Sequence, residues 1–370
     1  MSSGKVALTA PNELSYRGFF MLKTRLLIVA SILAVAILLA GWITRDGELI
    51  TPEGTGTVTL DAGEFEAYPL PEYVTEVLTE DYKSYLVEVE LGIKVHVLEV
   101  GTGYPVYLQH GNPTSGLLYR KVAATLPTER IRVIMPTMVG LGFSSKIPVG
   151  EHKLGNHVRW MNSVLDQLEL TELVYVGQDW GGPVGMGALA MSPGLLKGAV
   201  LMNTAFTAPT EKANLSRAHA AVKSPVIGEL IMEVFTTVFD QLHRAQGDSD
   251  SMNESVKSLY ARPVLDSGNA KAPVALMRMV TDGPDHPSAP AMRVIEAYVD
   301  TLDIPAEIVW GNSDPILGRA LPVMKRSFPN APVTETQAGH FLQEEVPEVI
   351  AEAIVRVVDH LEIATPTVSE

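Results

Sequence analysis

The chain has 370 residues, with 28 Lys plus Arg against 43 Asp plus Glu, and its formal net charge of −15 repels phosphate backbones, so nucleic acid is not an expected partner. A composition of 46% hydrophobic and 19% charged residues supports a large core and excludes general disorder. Cysteine is absent, which excludes a disulfide scaffold, a thiolate nucleophile and a Cys-ligated metal.

Leu26 to Ile43 is an uncharged run of 18 residues (LLIVASILAVAILLAGWI), close to the ~20 that cross a hydrocarbon core as a helix. Trp42 stands where an interfacial anchor would. Lys5, Arg17, Lys23 and Arg25 precede the run, and Arg45, Asp46, Glu48 and Glu53 follow it. The positive-inside rule then predicts a single-pass membrane protein with residues 1–25 cytoplasmic, a transmembrane anchor over 26–43, and the remainder on the exoplasmic (periplasmic or extracellular) side. A cleaved signal peptide is the other reading, but the run is long for one and Leu38-Leu39-Ala40 is a poor cleavage site. Residues 44–72, rich in Gly, Thr, Pro and acid and without sustained periodicity, predict a linker.

Short β-branched or apolar runs then recur at Tyr85–Val89, Lys94–Val100, Pro105–Gln109, Arg132–Met138, Leu173–Gly177, Gly198–Asn203, Ala306–Trp310 and Val333–Thr336. Helical patterns fall at Gly116–Leu126, Gly155–Leu168, Gly181–Ala190 and Pro347–Leu361. Strands alternating with helices predict a mostly parallel sheet covered on both faces. Residues 206–300 break that rhythm with helical and polar sequence, which predicts an inserted helical cap on a core formed by 73–205 and 301–370.

The strand Leu173–Gly177 leads into Gln178-Asp179-Trp180-Gly181 and then a helix. This is the pattern of a nucleophile elbow, with Asp179 in place of the commoner Ser; the competing reading is a Gly-rich turn with Asp179 as a helix N-cap. His110-Gly111-Asn112-Pro113 follows an earlier strand, where a loop amide for an oxyanion belongs, and Ala338-Gly339-His340-Phe341 follows the last strand, where a base belongs. An orienting acid is needed after a strand and before His340. NTAFTAPT, after the Gly198–Asn203 strand, holds no carboxylate, whereas GNSDP, after Ala306–Trp310, supplies Asp314; an ordinary turn Asp before Pro is its plainer reading.

HGNPTSGLLYRKV (110–122), GQDWGG (177–182), WGNSDPIL (310–317) and AGHFLQEE (338–345) resemble the haloalkane dehalogenase family of α/β hydrolases over roughly Tyr85 to Leu361. The resemblance implies an α/β-hydrolase fold with Asp179 as nucleophile, His340 as base, Asp314 as acid, and Asn112 with Trp180 as the halide-stabilising pair. This Asp-His-Asp plus Asn-Trp set resembles the third subfamily; Gly116-Leu117 departs from the usual first motif. Members that use two tryptophans take one from the cap, but Trp42, Trp160, Trp180 and Trp310 all lie outside residues 206–300.

The implied substrate is a small halogenated hydrocarbon, with water as co-substrate and no cofactor or metal. An aspartyl ester can still be opened by water, whereas a serine ether cannot. Epoxide hydrolases share an Asp nucleophile and use two cap tyrosines, for which Tyr260 and Tyr298 are candidates. A luciferase-like cofactor-free monooxygenase, a non-catalytic binding protein and a fluoroacetate dehalogenase, which carries a basic residue in place of Trp180, are further readings. Asp248, Asp250 and Asn253 hint at a calcium loop but lack its Gly and final Glu.

Overall fold

The structure is a computed structural model that describes residues 13–43, 45–79, 81–213, 217–230 and 238–364. It divides into two compact units, Met1–Arg45 and Asp46–Glu370.

In the first unit the Leu26–Ile43 run lies in one α-helix, Glu13–Ile43. Among the described side chains of this helix, Leu26, Ile28, Ile32, Leu33, Ile37 and Leu38 are each more than half exposed. Among the described residues, however, no helix is long and apolar enough to cross a membrane. The helix runs back through Lys23 and Arg25, and the side chains of Lys5, Arg17 and Trp42 lie outside the described residues. The expected span is thus carried by the sequence run and not by the structure.

The second unit is built on a ten-stranded sheet. Its strands are β1 (Thr57–Leu60), β2 (Gly63–Ala67), β3 (Lys83–Glu90), β4 (Ile93–Val100), β5 (Tyr104–Gln109), β6 (Ile131–Pro136), β7 (Leu173–Gln178), β8 (Leu196–Met202), β9 (Ala306–Gly311) and β10 (Val333–Thr336). They lie in the order β1-β2-β3-β4-β6-β5-β7-β8-β9-β10. β1 to β4 pair antiparallel, β4 meets β6 antiparallel, and the rest are parallel. Every residue of β7 and β9 is buried, as strands covered on both faces require. Register shows how they are covered. Tyr175 pairs with Ala199 and shares its face; Tyr175 packs under Gly185 of helix Gly181–Met191, while Gly198, on the opposite face, packs under Val357 of helix Pro347–Ala364.

The linker expected over 44–72 is not one. β1 and β2 form a hairpin that extends the sheet through β3, with Val58, Leu60 and Phe65 packed on the core. Upstream, Ile50 pairs with Lys146. Lys146 is 4% exposed, and its Nζ donates to the Gly142 and Ser144 carbonyls at 2.7 Å each.

Between β8 and β9 the described residues form helices Arg217–Lys223, Ile227–Glu229, Glu254–Leu265, Ala272–Arg278 and Ala289–Val299 with intervening turns. Helix Ala289–Val299 packs on the core helix Gly181–Met191, where the missing side chain of Gly187 admits Ile295. In the parallel part the strand order reverses at β5, which places a crevice at the carboxyl ends of the strands.

Candidate active site

All five residues singled out in the sequence lie in or directly after loops that leave the carboxyl ends of parallel strands: Asn112 after β5, Asp179 and Trp180 after β7, Asp314 after β9 and His340 after β10. Asp179 has φ +52°, a left-handed conformation that Asp tolerates better than most side chains. The turn is tight because Gly181 lies against the Gln109 carbonyl and Gly182 against Thr204, leaving no room for a Cβ at either. Thr204 Oγ1 donates to the Asp179 carbonyl at 2.7 Å and the Asp179 amide to Asn203 O at 3.1 Å. The side chain does not cap the following helix. Trp180 occupies the N-cap position without a side-chain cap bond, and Asp179 Oδ1 instead accepts the Asn112 amide at 2.8 Å, with the Trp180 amide also donating to the carboxylate. Any side chain at Gly111 would strike that carboxylate.

His340 is 1% exposed. Its Nδ1 lies 2.9 Å from Asp314 Oδ2 and its Nε2 3.7 Å from Asp179 Oδ2. Gln178 Nε2 lies 3.2 Å from His340 Nε2 and donates to the His340 carbonyl at 2.9 Å. Asp314 Oδ1 accepts the Ile316 amide at 2.7 Å. Burial pushes the Asp314 carboxyl up, but the His340 hydrogen bond and charge, with Asn203 and the Ile316 amide, hold it below the usual aspartate value. For His340, burial opposes the charge, yet the hydrogen bond and charge of Asp314 and the charge of Asp179 outweigh it and raise the imidazole. Burial raises Asp179 against the pull of His340 and of the two amides.

Asn203 and Gln178 were not anticipated from the sequence. Asn203, at the end of β8 with φ +28°, donates Nδ2 to Asp314 Oδ2 at 2.7 Å and to Gly311 O at 2.9 Å, and accepts the Gly311 amide at 2.8 Å. For Asn203 the available signal is an amide residue directly after a strand run, at the head of NTAFTAPT.

Asp179 and Trp180 border a cavity of about 200 Å³ whose walls include Pro183, Val280, Met292 and Leu317. Asn112 Nδ2 donates to the Pro273 carbonyl of the insertion at 3.1 Å, while its Oδ1 is buried without a partner. Asn112, His340, Tyr260 and Tyr298 are not among the residues that border this cavity. The Tyr260 hydroxyl donates to Glu344 and accepts Arg120 Nη1 at 3.2 Å, within a buried Arg120–Glu344 ion pair. His110 uses both nitrogens on backbone, at Gly111 O (2.7 Å) and the Met138 amide (2.9 Å). Asp248 accepts the Asp250 amide and Asn253 caps helix Glu254–Leu265 through the Val256 amide; among the described residues no group of three or more His, Asp or Glu could hold a metal.

Residues 104–347 match the family model of the alpha/beta hydrolase fold. Haloalkane dehalogenase 2 of Mycobacterium tuberculosis H37Rv is 29% identical over 265 residues, covering 71% of this chain and 90% of that protein. Haloalkane dehalogenase 1 of the same strain is 30% identical over 258 residues, covering 67% and 81%. Among solved structures, a mutant of the haloalkane dehalogenase DatA from Agrobacterium tumefaciens C58 superposes with a TM-score of 0.65 at 26% identity, covering 76% of this chain and 96% of that one. An elbow carboxylate facing a buried His–Asp pair, on a sheet of this order and with these relatives, places the chain in the α/β-hydrolase fold family and, within it, among the haloalkane dehalogenases.

Proposed function

We propose that the protein hydrolyses haloalkanes to a primary alcohol, halide and a proton through an alkyl ester on Asp179, as a member of the third subfamily. The observation that carries this reading is the unequal treatment of the two Asp179 oxygens. Oδ1 is held by the Asn112 amide at 2.8 Å, whereas Oδ2 faces His340 Nε2 across 3.7 Å. Oδ2 is therefore the attacking atom: it bonds to the substrate carbon as the carbon–halogen bond breaks, and the bonding pair leaves with the halide. Trp180 Nε1–H, from the wall of the cavity, and the Asn112 Nδ2 hydrogen not held by Pro273 donate to the developing anion, and away from water such bonds are strong.

Water then adds to Cγ of the ester while His340 Nε2 takes its proton, and Asp314 stabilises the imidazolium. Oδ1 becomes the oxyanion, already seated on the Asn112 amide, with the Trp180 amide also directed at the carboxylate. Collapse expels the alkoxide, which takes back the proton held on His340 Nε2, and leaves Asp179 as the carboxylic acid, whose loss of a proton restores the carboxylate and accounts for the proton released. Neutral His340 is the base, so turnover is retained above its raised pKa and lost as pH falls through it. Epoxide opening has less support, because the Tyr260 hydroxyl is tied to Glu344 and Arg120 and neither Tyr260 nor Tyr298 borders the cavity at Asp179.

Asp179→Ala should release no bromide from a bromoalkane, whereas His340→Phe should release one bromide per site and accumulate a protein-bound alkyl ester visible by intact mass. In ¹⁸O-water the wild-type carboxylate of Asp179 should acquire label over successive turnovers. Steady turnover by either variant, or wild-type activity confined to epoxides, would sink the reading.

We also propose that the N-terminal helix anchors the chain in a membrane, with residues 1–25 cytoplasmic, the catalytic unit on the exoplasmic side, and the insertion 206–300 capping the core. Support for the anchor is the uncharged Leu26–Ile43 run with basic residues before it and acidic ones after it.

A further inference from the structure

The segment Asp46–Ile50 is strapped to two separate parts of the catalytic unit. Ile50 and Lys146 exchange both backbone hydrogen bonds at 2.8 Å, and the Val149 amide donates to Asp46 O at 2.7 Å. The Gly150 amide donates to Asp46 Oδ1 at 2.9 Å. From the insertion comes Asn269, which is 5% exposed. One of its Nδ2 hydrogens goes to Glu48 O at 2.8 Å and the other to Ile147 O at 3.2 Å. Its Oδ1 accepts the Lys271 amide at 3.3 Å, at the turn into helix Ala272–Arg278. Gly47, at φ +82°, is where the strap passes this amide, and a Cβ there would lie 2.8 Å from Asn269 Nδ2.

A single buried amide thus joins strap, core loop and cap, with every one of its hydrogen-bonding atoms engaged. The helix that it starts is seated closely on the core, since Ala272 and His152 together leave Gly140 no room for a side chain. Two residues after Lys271, the Pro273 carbonyl receives Asn112 Nδ2 at 3.1 Å. An amide group with one hydrogen fixed has only one direction left for the other. A shift of the helix start would turn that direction away from the departing anion, and transition-state donors act by being aligned beforehand.

We propose that Asn269 is a positioning residue for halide departure: by locking the start of helix Ala272–Arg278 to the strap and to Ile147, it sets the Pro273 carbonyl and through it the Asn112 amide. The inference rests on the reading of Asn112 as a halide donor. It also assigns a role to residues 46–48, which the sequence marked only as linker.

Asn269→Ala and Gly47→Ala, made in the full chain, disturb the same contact from two segments, so Gly47→Ala gives the reading even if the first variant does not fold. The measurements are bromide affinity by tryptophan fluorescence quenching, first-turnover bromide release, and hydrolysis of the accumulated ester. Each variant should weaken bromide binding and slow bromide release by roughly five- to tenfold, the worth of one or two ordinary hydrogen bonds, with ester hydrolysis unchanged. In an Asn112→Ala background Asn269→Ala should add no further loss, because the two act as one unit. Unchanged bromide affinity in both single variants, full additivity with Asn112→Ala, or an equal loss in both steps overturns the proposal while leaving the role of Asn112 standing. Unchanged bromide affinity in Asn112→Ala itself overturns that role, and the positioning proposal with it.

Discussion

At the end of β8 an amide serves where an acid could have stood. Asn203 bridges Asp314 to Gly311 through three hydrogen bonds of 2.7–2.9 Å, so that Asp314 Oδ2 is held by His340 and Asn203 together. Asn203→Ala should strand the Gly311 amide and loosen Asp314, costing about 1–3 kcal/mol of stability for the unpaired buried groups. The kcat should fall about tenfold with KM little changed, because misorientation of His340 weakens a proton transfer worth roughly 100-fold or more. Thermal melts and steady-state kinetics on one bromoalkane would decide this; an unaltered kcat would remove Asn203 from the machinery. The place of Asp314 beside His340 was legible because elimination left it as the carboxylate on a turn after a strand. Its partner was not, because an orienting amide has no sequence signature apart from its place after β8.

The long strands were legible for a simple reason. β7 and β9 are buried at every position, so their sequences are nearly continuous apolar runs. The hairpin β1–β2 was not: its strands have four and five residues and mixed exposure, with only Val58, Leu60 and Phe65 packed inward between Thr and Glu side chains. Its stability comes from pairing with β3, which no local pattern displays. Helix Glu13–Ile43 presents the opposite case, an element plain in the sequence whose surroundings the fold leaves unstated. If the Leu26–Ile43 run is an anchor, the full chain should pellet with membranes, resist extraction by high salt or alkaline carbonate, and be released by detergent. A chain beginning at Asp46 should remain in the supernatant and keep activity. Recovery of the intact full-length chain in the soluble fraction would refute the anchor.

Over the whole molecule, chain order anticipated that Asp179, Asp314 and His340 would meet, because each sits on a short loop directly after a strand. The coupling of Asn112 to the cap was beyond reach, since Pro273 lies 161 residues away in sequence. Folding also gathers histidines into places without water. Burial pushes His96 and His157 down to about 3, His110 to about 4, and His152 well below its ordinary value. The unfolded chain takes up protons on these groups near pH 6.5 and the folded chain does not. The share of stability linked to these four histidines is therefore full above about pH 6.5 and falls as pH drops toward 4, each group contributing up to about 1.4 kcal/mol per pH unit. His340, whose pKa is raised, acts in the opposite sense but is one group against four. Urea midpoints measured between pH 7 and 4.5 should show this fall; a flat profile would contradict it.

A strap that lies over a buried Lys146 should behave as a proton-linked latch. Burial lowers its ammonium to about 7, and Ile50 and Pro52 wall the same recess. Lifting the strap would admit water and return the amine toward ~10.4, so each opening takes up a proton and each closure releases one. Between those values, rising pH favours the closed form. Amide exchange at Ile50, corrected for its intrinsic pH dependence, should slow from pH 7 to 9, and Lys146→Met should abolish that trend.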